Sequence, residues 1–259
     1  MPMNKPITDW KARRVWIIGA SSGIGAELAR ALIARGARVA LSARSAPALA
    51  ELALAATADQ ALQLPLDVTR PEQLASAFQA IRSRWSGLDL AVLLAGTHQP
   101  VRAWELDAQE ARALVEINLM GVINATAVLA PAFSKDAGGA IAVVSSVAGY
   151  GGLPSGLVYG ATKAALINFT EALYLDLAPR GVGVFLVNPG FVKTPLTDKN
   201  EFKMPALIPP AQAAQEMIRG FESGAFEIHF PKRFTLWLKL LRMLPYRIYF
   251  PLIHKFTGL

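Results

Sequence analysis

The stretch Arg13–Gly25, RRVWIIGASSGIG, decides the fold of this chain. Residues 13–18 form an apolar run typical of a buried strand, and residues 26–35, ahead of Gly36, have helical composition. The turn between them has the spacing G-x-x-x-G-x-G. Glycines in such a turn let the backbone approach a pyrophosphate, and the helix N-terminus offers free N–H groups. The stretch therefore predicts a strand–turn–helix phosphate cradle, with an ordinary glycine-rich strand end as the alternative.

The same alternation of strand and helix continues along the chain. Further strands are predicted at residues 37–43, 62–66, 88–94, 139–145, 182–187 and 226–230, and further helices at 46–56, 71–85, 107–133, 157–177 and 211–221. This order predicts an α/β fold, a single-domain doubly wound parallel sheet of Rossmann type with about seven strands. The catalytic domain would span residues 1–231, and residues 232–259 would be a helical, apolar and basic extension of it. Right-handed crossovers place all strand carboxyl ends at one edge, where ligands bind.

The end of the second strand bears on the cofactor. Dinucleotide folds place the adenosine ribose there, and an acidic residue would bind its 2′-hydroxyl. This chain instead reads Ser42-Ala43-Arg44-Ser45, without an acid. A guanidinium pairs strongly with a phosphate, so Arg44 favours NADP(H), with NAD(H) as the alternative. A solvated loop arginine is the competing interpretation.

A tyrosine and a lysine stand four residues apart in Tyr159-Gly160-Ala161-Thr162-Lys163. On a helix they lie one turn apart on the same face. A nearby ammonium lowers the pKa of a phenol, so we expect Lys163 to prepare Tyr159 for proton exchange with a substrate oxygen. By itself the pair also fits an exposed helix face.

Taken in order, these motifs resemble those of the short-chain dehydrogenase/reductase family between about Arg13 and Gly190. The resemblance rests on the glycine-rich turn, Asp67-Val68, Ala95-Gly96, Asn118, Ser146, Tyr159-x-x-x-Lys163 and Pro189-Gly190. It implies a catalytic tetrad of Asn118, Ser146, Tyr159 and Lys163. Ser146 is preferred to the adjacent Ser145 because the family places its serine thirteen residues before the tyrosine. Ser145 is expected to be a polar strand-end residue.

The resemblance also implies the role of each group. Ser146 would bond to the substrate carbonyl oxygen, and Tyr159 would give that oxygen a proton as hydride arrives from the nicotinamide. Lys163 would hold the nicotinamide ribose, and Asn118 would kink its helix and hold a water. The implied cofactor-binding residues are Gly19, Ser21, Ser22, Gly23, Ile24, Gly25, Arg44, Asp67, Val68, Ala95, Gly96, Tyr159, Lys163, Pro189, Gly190, Val192 and Thr194. No metal site is predicted.

The implied function is an NADP(H)-dependent oxidoreductase acting on a carbonyl or alcohol, working as a homo-oligomer, dimer or tetramer. The alternative is a catalytically silent NADP-binding sensor or scaffold, although such a protein would usually lose the tyrosine or the lysine. A sugar-nucleotide epimerase or dehydratase would usually carry G-x-x-G-x-x-G and a longer C-terminal domain.

The sequence departs from the family pattern in two places, at three residues. Leu93-Leu94 stands where the family usually has two asparagines, so bracing of the central strands must be apolar here. Ile18 stands where a threonine often precedes the first glycine, so the turn loses a polar tie.

Substrate contacts are expected from three loops. They supply His98 and Trp104, then residues 150–154, then residues 191–210. The last loop carries Phe191, Leu196, Phe202, Met204, Leu207 and Ile208. This lining favours an apolar or lipid-like substrate, unless the loop is apolar only because it closes on the cofactor. We expect Tyr159, Tyr150 and Phe191 to line the pocket, and His98 to be a loop residue.

Charge is concentrated at the C-terminal end. The formal charge is +7, and residues 232–259 hold Lys232, Arg233, Lys239, Arg242, Arg247 and Lys255 without an acid. The remaining 20 basic and 19 acidic residues nearly balance, which argues against nucleic-acid binding. Helical spacing puts Lys232, Thr235, Lys239 and Arg242 on one stripe, with aromatic residues and leucines around it, and Pro245 interrupts the helix.

Such a tail fits a helix at a membrane interface, and equally one that packs over the substrate site or a second subunit. The sequence has no cysteine, no signal-peptide pattern and no apolar run long enough to span a bilayer. We expect a cytoplasmic protein, with peripheral contact at the membrane surface as a hypothesis.

Overall fold

Seven parallel strands form the centre of the molecule in the computed structural model, which describes residues 2–199, 202 and 204–257. The strands are β1 (Arg14–Ile18), β2 (Arg38–Ser42), β3 (Ala61–Gln63), β4 (Leu90–Leu93), β5 (Ala140–Val144), β6 (Gly183–Pro189) and β7 (Glu227–Phe230). Their order across the sheet is β3-β2-β1-β4-β5-β6-β7. The chain winds outward from β1 in one direction and then from β4 in the other, which confirms the predicted doubly wound fold.

Helices cover both faces of the sheet. They are α1 (Gly23–Ala34), α2 (Ala46–Ala53), α3 (Pro71–Trp85), α4 (Ala108–Val115), α5 (Gly121–Asp136), α6 (Leu157–Leu177), α7 (Pro210–Ser223), α8 (Lys232–Arg242) and α9 (Tyr246–Thr257). Helices α1 and α7 pack together on one face, and α3 packs against α5 on the other.

Strand β1 shows why both faces need cover. Val15 and Ile17 lie in the cluster shared with α1 and α7, whereas Trp16 and Ile18 lie in the cluster shared with α3, α5 and α6. Successive side chains of a strand point to opposite faces, and all four are buried. A strand buried on both faces reads as a continuous apolar run, which explains the sequence VWII.

The long helix predicted over residues 107–133 is interrupted. Between α4 and α5, residues Glu116–Met120 form a π-helical turn, and α5 continues to Asp136. By length and composition alone the run Ala108–Asp136 could cross a membrane, contrary to the expectation that no segment could. Here α5 packs on α3, and its Val122, Leu129 and Phe133 are buried in the domain core.

Boundaries differ by two or more residues at three strands, one of which is β4, starting at Leu90 rather than at residue 88. The sequence predicts the third strand at residues 62–66, but β3 spans Ala61–Gln63, because the chain beyond keeps only single bonds from Leu64 to Leu41 and from Leu66 to Ala43. Strand β6 runs on to Pro189, two residues past its predicted end, paired with β7.

The tail begins directly after β7. Helix α8 contacts β7, and Pro245 precedes α9, as the predicted helix break implies. Residues 258 and 259 of the predicted extension lie outside the described residues. The division into residues 1–231 and an extension of the same domain stays a prediction.

Candidate active site

The glycine-rich turn connects β1 to α1 at the carboxyl edge of the sheet. Gly19 has φ +106°, and a Cβ there would lie 2.6 Å from the backbone nitrogen of Ala95. A Cβ on Gly25 would lie 2.1 Å from the Gly19 carbonyl oxygen. The turn can therefore close only with glycine at both positions, and it leaves the α1 N-terminus facing the cleft. These features fit a pyrophosphate.

The far side of the turn touches the loop after β6. A Cβ on Gly23 would lie 2.8 Å from Cγ2 of Thr194, so the two predicted cofactor residues are in contact. Thr194 donates its backbone N–H to the Thr197 hydroxyl at 2.9 Å, which fixes the loop. The structure therefore brings the first and last predicted cofactor segments to one place.

Arg44 and Asp67 follow β2 and β3 at the same edge, and both line the cleft. Asp67 accepts hydrogen bonds from the Thr69 backbone N–H at 2.9 Å and the Thr69 hydroxyl at 2.8 Å. The backbone hydrogen bond from Thr69, helped by the charge of Arg44, lowers the pKa of the Asp67 carboxyl. Arg44 is exposed and available to a ligand at the cleft end.

Asn118 lies in the π-helical turn and is fully buried. Its Oδ1 accepts from the Thr97 backbone N–H at 2.7 Å, and its Nδ2 donates to the Thr97 carbonyl at 2.8 Å. The expected local distortion is therefore a π turn that aims the amide at the loop after β4. A Cβ on Gly96 would lie 3.3 Å from Asn118 Oδ1 and 3.8 Å from Lys163 Nζ. Gly96 therefore lies next to both the side-chain amide of Asn118 and the ammonium of Lys163.

Tyr159 and Lys163 stand one turn apart near the start of α6, as the spacing predicts. The Lys163 Nζ lies 5.6 Å from the centroid of the Tyr159 ring and donates to the Val144 carbonyl at 3.1 Å. The ring of His98 packs edge-on against Tyr159, with centroids 4.5 Å apart. His98 lies in the loop after β4, as expected, and is buried against the phenol.

Burial controls the ionisation of both groups. It raises the pKa of the Tyr159 phenol, against a smaller lowering by a hydrogen bond with Ser146. It also lowers the pKa of Lys163 to about 8. The expectation that Lys163 lowers the Tyr159 pKa is therefore wrong in direction here, because desolvation disfavours the charged form of each group.

The two adjacent serines have different environments. Ser145 is buried, and its hydroxyl donates to the Lys163 carbonyl at 2.7 Å. The Ser146 hydroxyl accepts from the Ala148 backbone N–H at 3.1 Å and stands beside Tyr159. This difference supports Ser146 as the group that faces a substrate and Ser145 as one that holds α6 on β5.

The predicted site residues converge on one cleft of about 2260 Å³. It is lined by Gly19, Ser21, Ser22, Gly23, Ile24, Arg44, Asp67, Val68, Ala95, Gly96, Ser146, Tyr159, Lys163, Pro189, Gly190, Val192 and Thr194. Gly25 and Asn118 do not line it; the first lies under the turn and the second behind Thr97. Pockets for single small ligands run to about 1000 Å³, so this cleft has room for a dinucleotide and a substrate together.

The substrate loops are only partly as predicted. Phe191, Leu196 and Phe202 line the cleft, whereas Ile208 is in the core and Leu207 is outside. Met204 is also outside, and residues 200, 201 and 203 of this loop lie outside the described residues.

Two aromatic residues expected in the pocket lie elsewhere. Trp104 is exposed and stacks on the guanidinium of Arg102, and does not line the cleft. Tyr150 turns away and donates to Glu227 at 2.5 Å. An acceptor so distant in sequence could not be found from local spacing.

The tail supplies much of the remaining apolar wall. Its contribution comprises Phe234, Trp237, Leu238, Leu240, Leu241, Leu244, Leu252, Ile253 and Phe256. The side of the tail that faces the cleft therefore packs over the substrate site, which was one of the alternatives predicted for the tail. The leucine-rich sequence after the last strand could have indicated this contribution to the wall. The contact that holds α8 there, between Lys239 and Glu227, could not be predicted from the sequence pattern.

The parallel sheet, the glycine-rich turn and the Ser146–Tyr159–Lys163 group define a dinucleotide-binding oxidoreductase. A family model for short chain dehydrogenases matches residues 13–204. The chain belongs to the short-chain dehydrogenase family.

Similar proteins cover nearly the whole chain. An uncharacterized oxidoreductase of Myxococcus xanthus is 34% identical over 241 residues, 92% of this chain and 95% of the relative. A short chain dehydrogenase of Burkholderia cenocepacia in complex with NADP has TM-score 0.81 and 27% identity, over 96% of this chain and 99% of that one. A 3-ketoacyl-(acyl-carrier-protein) reductase of Brucella melitensis complexed with NADH has TM-score 0.78 and 26% identity, over 86% and 99%.

Proposed function

We propose that the protein is an NADP(H)-dependent reductase or dehydrogenase that acts on an apolar carbonyl or alcohol. The observation that carries the proposal is the position of Tyr159, beside Ser146 and above Lys163, where the glycine-rich cleft meets the apolar wall of the tail. In that position a phenol can reach both a bound substrate and a bound nicotinamide.

Each polar group has a separate task. Ser146 accepts from the Ala148 N–H at 3.1 Å and donates to the Pro189 carbonyl at 3.5 Å, a long bond that its hydroxyl could exchange for one to a substrate oxygen. Tyr159 keeps its proton at neutral pH because burial raises its pKa, and the protonated phenol is the form that carbonyl reduction requires. The bound nicotinamide would supply or accept the hydride.

Lys163 and Asn118 support this chemistry. The Lys163 ammonium, anchored to the Val144 carbonyl, has donors left for ribose hydroxyls. Asn118 holds the loop after β4 through both backbone groups of Thr97, and so fixes Gly96 next to Lys163. A water held by Asn118 remains a prediction.

Arg44 supports NADP(H) over NAD(H). No acid follows β2 that could bind a ribose 2′-hydroxyl there, and an exposed guanidinium stands at the cleft end. The charge of Arg44 is close enough to Asp67 to help lower the pKa of that carboxyl. Asp67 would therefore compete with a 2′-phosphate for the Arg44 guanidinium. Since similar structures hold either NADP or NADH, NAD(H) is the alternative.

The wall of the substrate end supports an apolar substrate. Phe191 packs edge-on against Phe202 and tilted against Phe234, each with ring centroids 5.6 Å apart. Together with leucines of α8 these rings offer burial but few hydrogen bonds. Charged residues such as Lys199 and Arg233 also line the cleft, but the rings and leucines around Phe191 suit the apolar body of a carbonyl substrate.

The competing function is a catalytically silent NADP-binding sensor or scaffold. It requires the cofactor site but not Ser146 or Tyr159. A homo-oligomer, as dimer or tetramer, is compatible with either function and stays a prediction.

The test is NADPH oxidation against a panel of aliphatic and aromatic ketones and aldehydes. Tyr159→Phe should lower kcat by about 10²-fold or more with little change in the dissociation constant of NADPH, because only the proton donor is removed. Lys163→Ala should lower kcat and also raise the dissociation constant of NADPH. Tyr246→Phe removes the same hydroxyl from an exposed tyrosine outside the cleft and should match the wild type.

If no substrate in the panel oxidises NADPH although the protein binds it, the silent sensor or scaffold is favoured. If Tyr159→Phe keeps wild-type turnover, the assignment of the proton donor is wrong.

A further inference from the structure

The tail exposes an unusual amount of apolar surface. Sixteen large apolar side chains are exposed among the described residues, and eight of them lie between residues 236 and 256. Leu236, Trp237 and Leu240 lie on α8, Met243 directly follows it, and Tyr246, Ile248, Phe250 and Phe256 lie on α9. Half of the exposed apolar groups therefore fall in less than a tenth of the chain, and such patches mark interaction sites.

Polar contacts hold α8 with its apolar side outward. Thr235 is buried and bonds to Nδ1 of His229 at 2.6 Å, Lys239 pairs with Glu227, and Arg242 donates to the Tyr150 carbonyl. An amphipathic helix on a soluble domain usually buries its apolar stripe and exposes its polar one. Here Thr235 and Lys239 of the basic stripe face the domain, and Arg242, although exposed, also donates to it.

The charge of the tail identifies the partner. Lys239 is paired with Glu227, whereas Lys232, Arg233, Arg242, Arg247 and Lys255 are exposed, and the segment contains no acid. A second copy docked through the same face about a two-fold axis would bring these like charges together. An anionic bilayer satisfies both features, because it attracts the cations at its surface and accepts the apolar side chains below them.

The cleft opens at this same face. Trp237, Leu240 and Phe256 are 65%, 51% and 73% exposed, and all three also line the cleft. Leu238, Leu241 and Ile253 continue the lining inward. An apolar path therefore joins the outer surface of the tail to the cleft that holds Tyr159.

We propose that α8 and α9 dock the protein on an anionic lipid bilayer and turn the mouth of the cleft toward it. Docking stands on the exposed surface and its charge alone. That a lipid-soluble carbonyl enters the cleft from the bilayer rests, in addition, on the proposed function.

The first experiment is co-sedimentation of the full chain with vesicles of phosphatidylglycerol and phosphatidylcholine, or of phosphatidylcholine alone. The wild type should bind the anionic vesicles, and high salt should weaken but not abolish binding. Leu236→Glu with Met243→Glu should reduce binding more than about tenfold, because two apolar anchors become carboxylates outside the cleft. Met243→Glu alone should have a smaller effect.

The matched control is Leu54→Glu, since Leu54 is 85% exposed and Met243 is 80% exposed, but Leu54 lies at the end of α2. It should bind vesicles as the wild type does. Equal binding by the double variant and the control would overturn the proposal. So would a double variant that changes the oligomeric state in light scattering while vesicle binding is kept, because the face would then join copies of the chain.

A second experiment locates the contact. Phosphatidylglycerol vesicles with acyl chains brominated near the interface should quench the tryptophan fluorescence of the wild type, and Trp237→Phe should lose most of that quenching. Trp104 is 75% exposed and provides the internal comparison. Quenching that persists in Trp237→Phe would place the bilayer elsewhere and refute the cleft orientation. Neither experiment requires turnover. Membrane docking can therefore be tested even if the proposed function is wrong.

Discussion

The ionisation of Lys163 makes the stability of this fold depend on pH in a predictable direction. Burial lowers the pKa of Lys163 from 10.5 to about 8. Below pH 8 the lysine is charged in both the folded and the unfolded chain, and the folded state bears the full desolvation penalty. The shift of about 2.5 units corresponds to about 3 kcal/mol. As the pH rises from 8 toward 10.5 the folded state releases the proton first, so this penalty declines and stability rises.

The measurement is urea unfolding of the wild type and of Lys163→Met without NADP(H), at about pH 7.5 and about pH 9.5. Relative to the variant, the wild type should gain about 2 kcal/mol between these two conditions. The difference cancels other titrating groups, such as Tyr159, that both proteins share. A difference that does not change with pH, or that moves against the wild type, would show that Lys163 keeps its ordinary pKa and is not desolvated.

Two further predictions concern the cofactor. Arg44→Asp should raise the dissociation constant of NADP at least about tenfold more than that of NAD, because a carboxylate repels a 2′-phosphate; equal changes, or the same result with Arg112→Asp on exposed α4, would make Arg44 an ordinary loop residue. Gly25→Ala should weaken NADPH binding and lower stability by about 1–3 kcal/mol, because its Cβ would meet the Gly19 oxygen at 2.1 Å. Gly138→Ala, whose Cβ would have its nearest neighbour at 3.7 Å, is the control, and equal effects in calorimetry would contradict the close approach.

Sequence by itself determined the sheet, the turn and the grouping of the site residues. The run VWII before Gly19 specifies a strand buried on both faces. The alternation of strands with helices along the chain predicts a parallel sheet. Parallel strands joined by right-handed crossovers end at one edge, so the sequence alone predicts that Gly19 and Gly190, distant along the chain, lie at the same edge of the sheet. The four-residue spacing of Tyr159 and Lys163 likewise fixes their face of α6.

Tertiary structure alone decided the environment of those residues. The pKa of Tyr159 rises rather than falls because desolvation outweighs the hydrogen bond with Ser146, and burial is a property of the whole packed domain. The side of α8 that faces solvent was also out of reach, since an amphipathic pattern gives two faces but not which one is docked. In the folded protein Lys239 pairs with Glu227, twelve residues earlier on the last strand, and Leu236, Trp237 and Leu240 are left exposed.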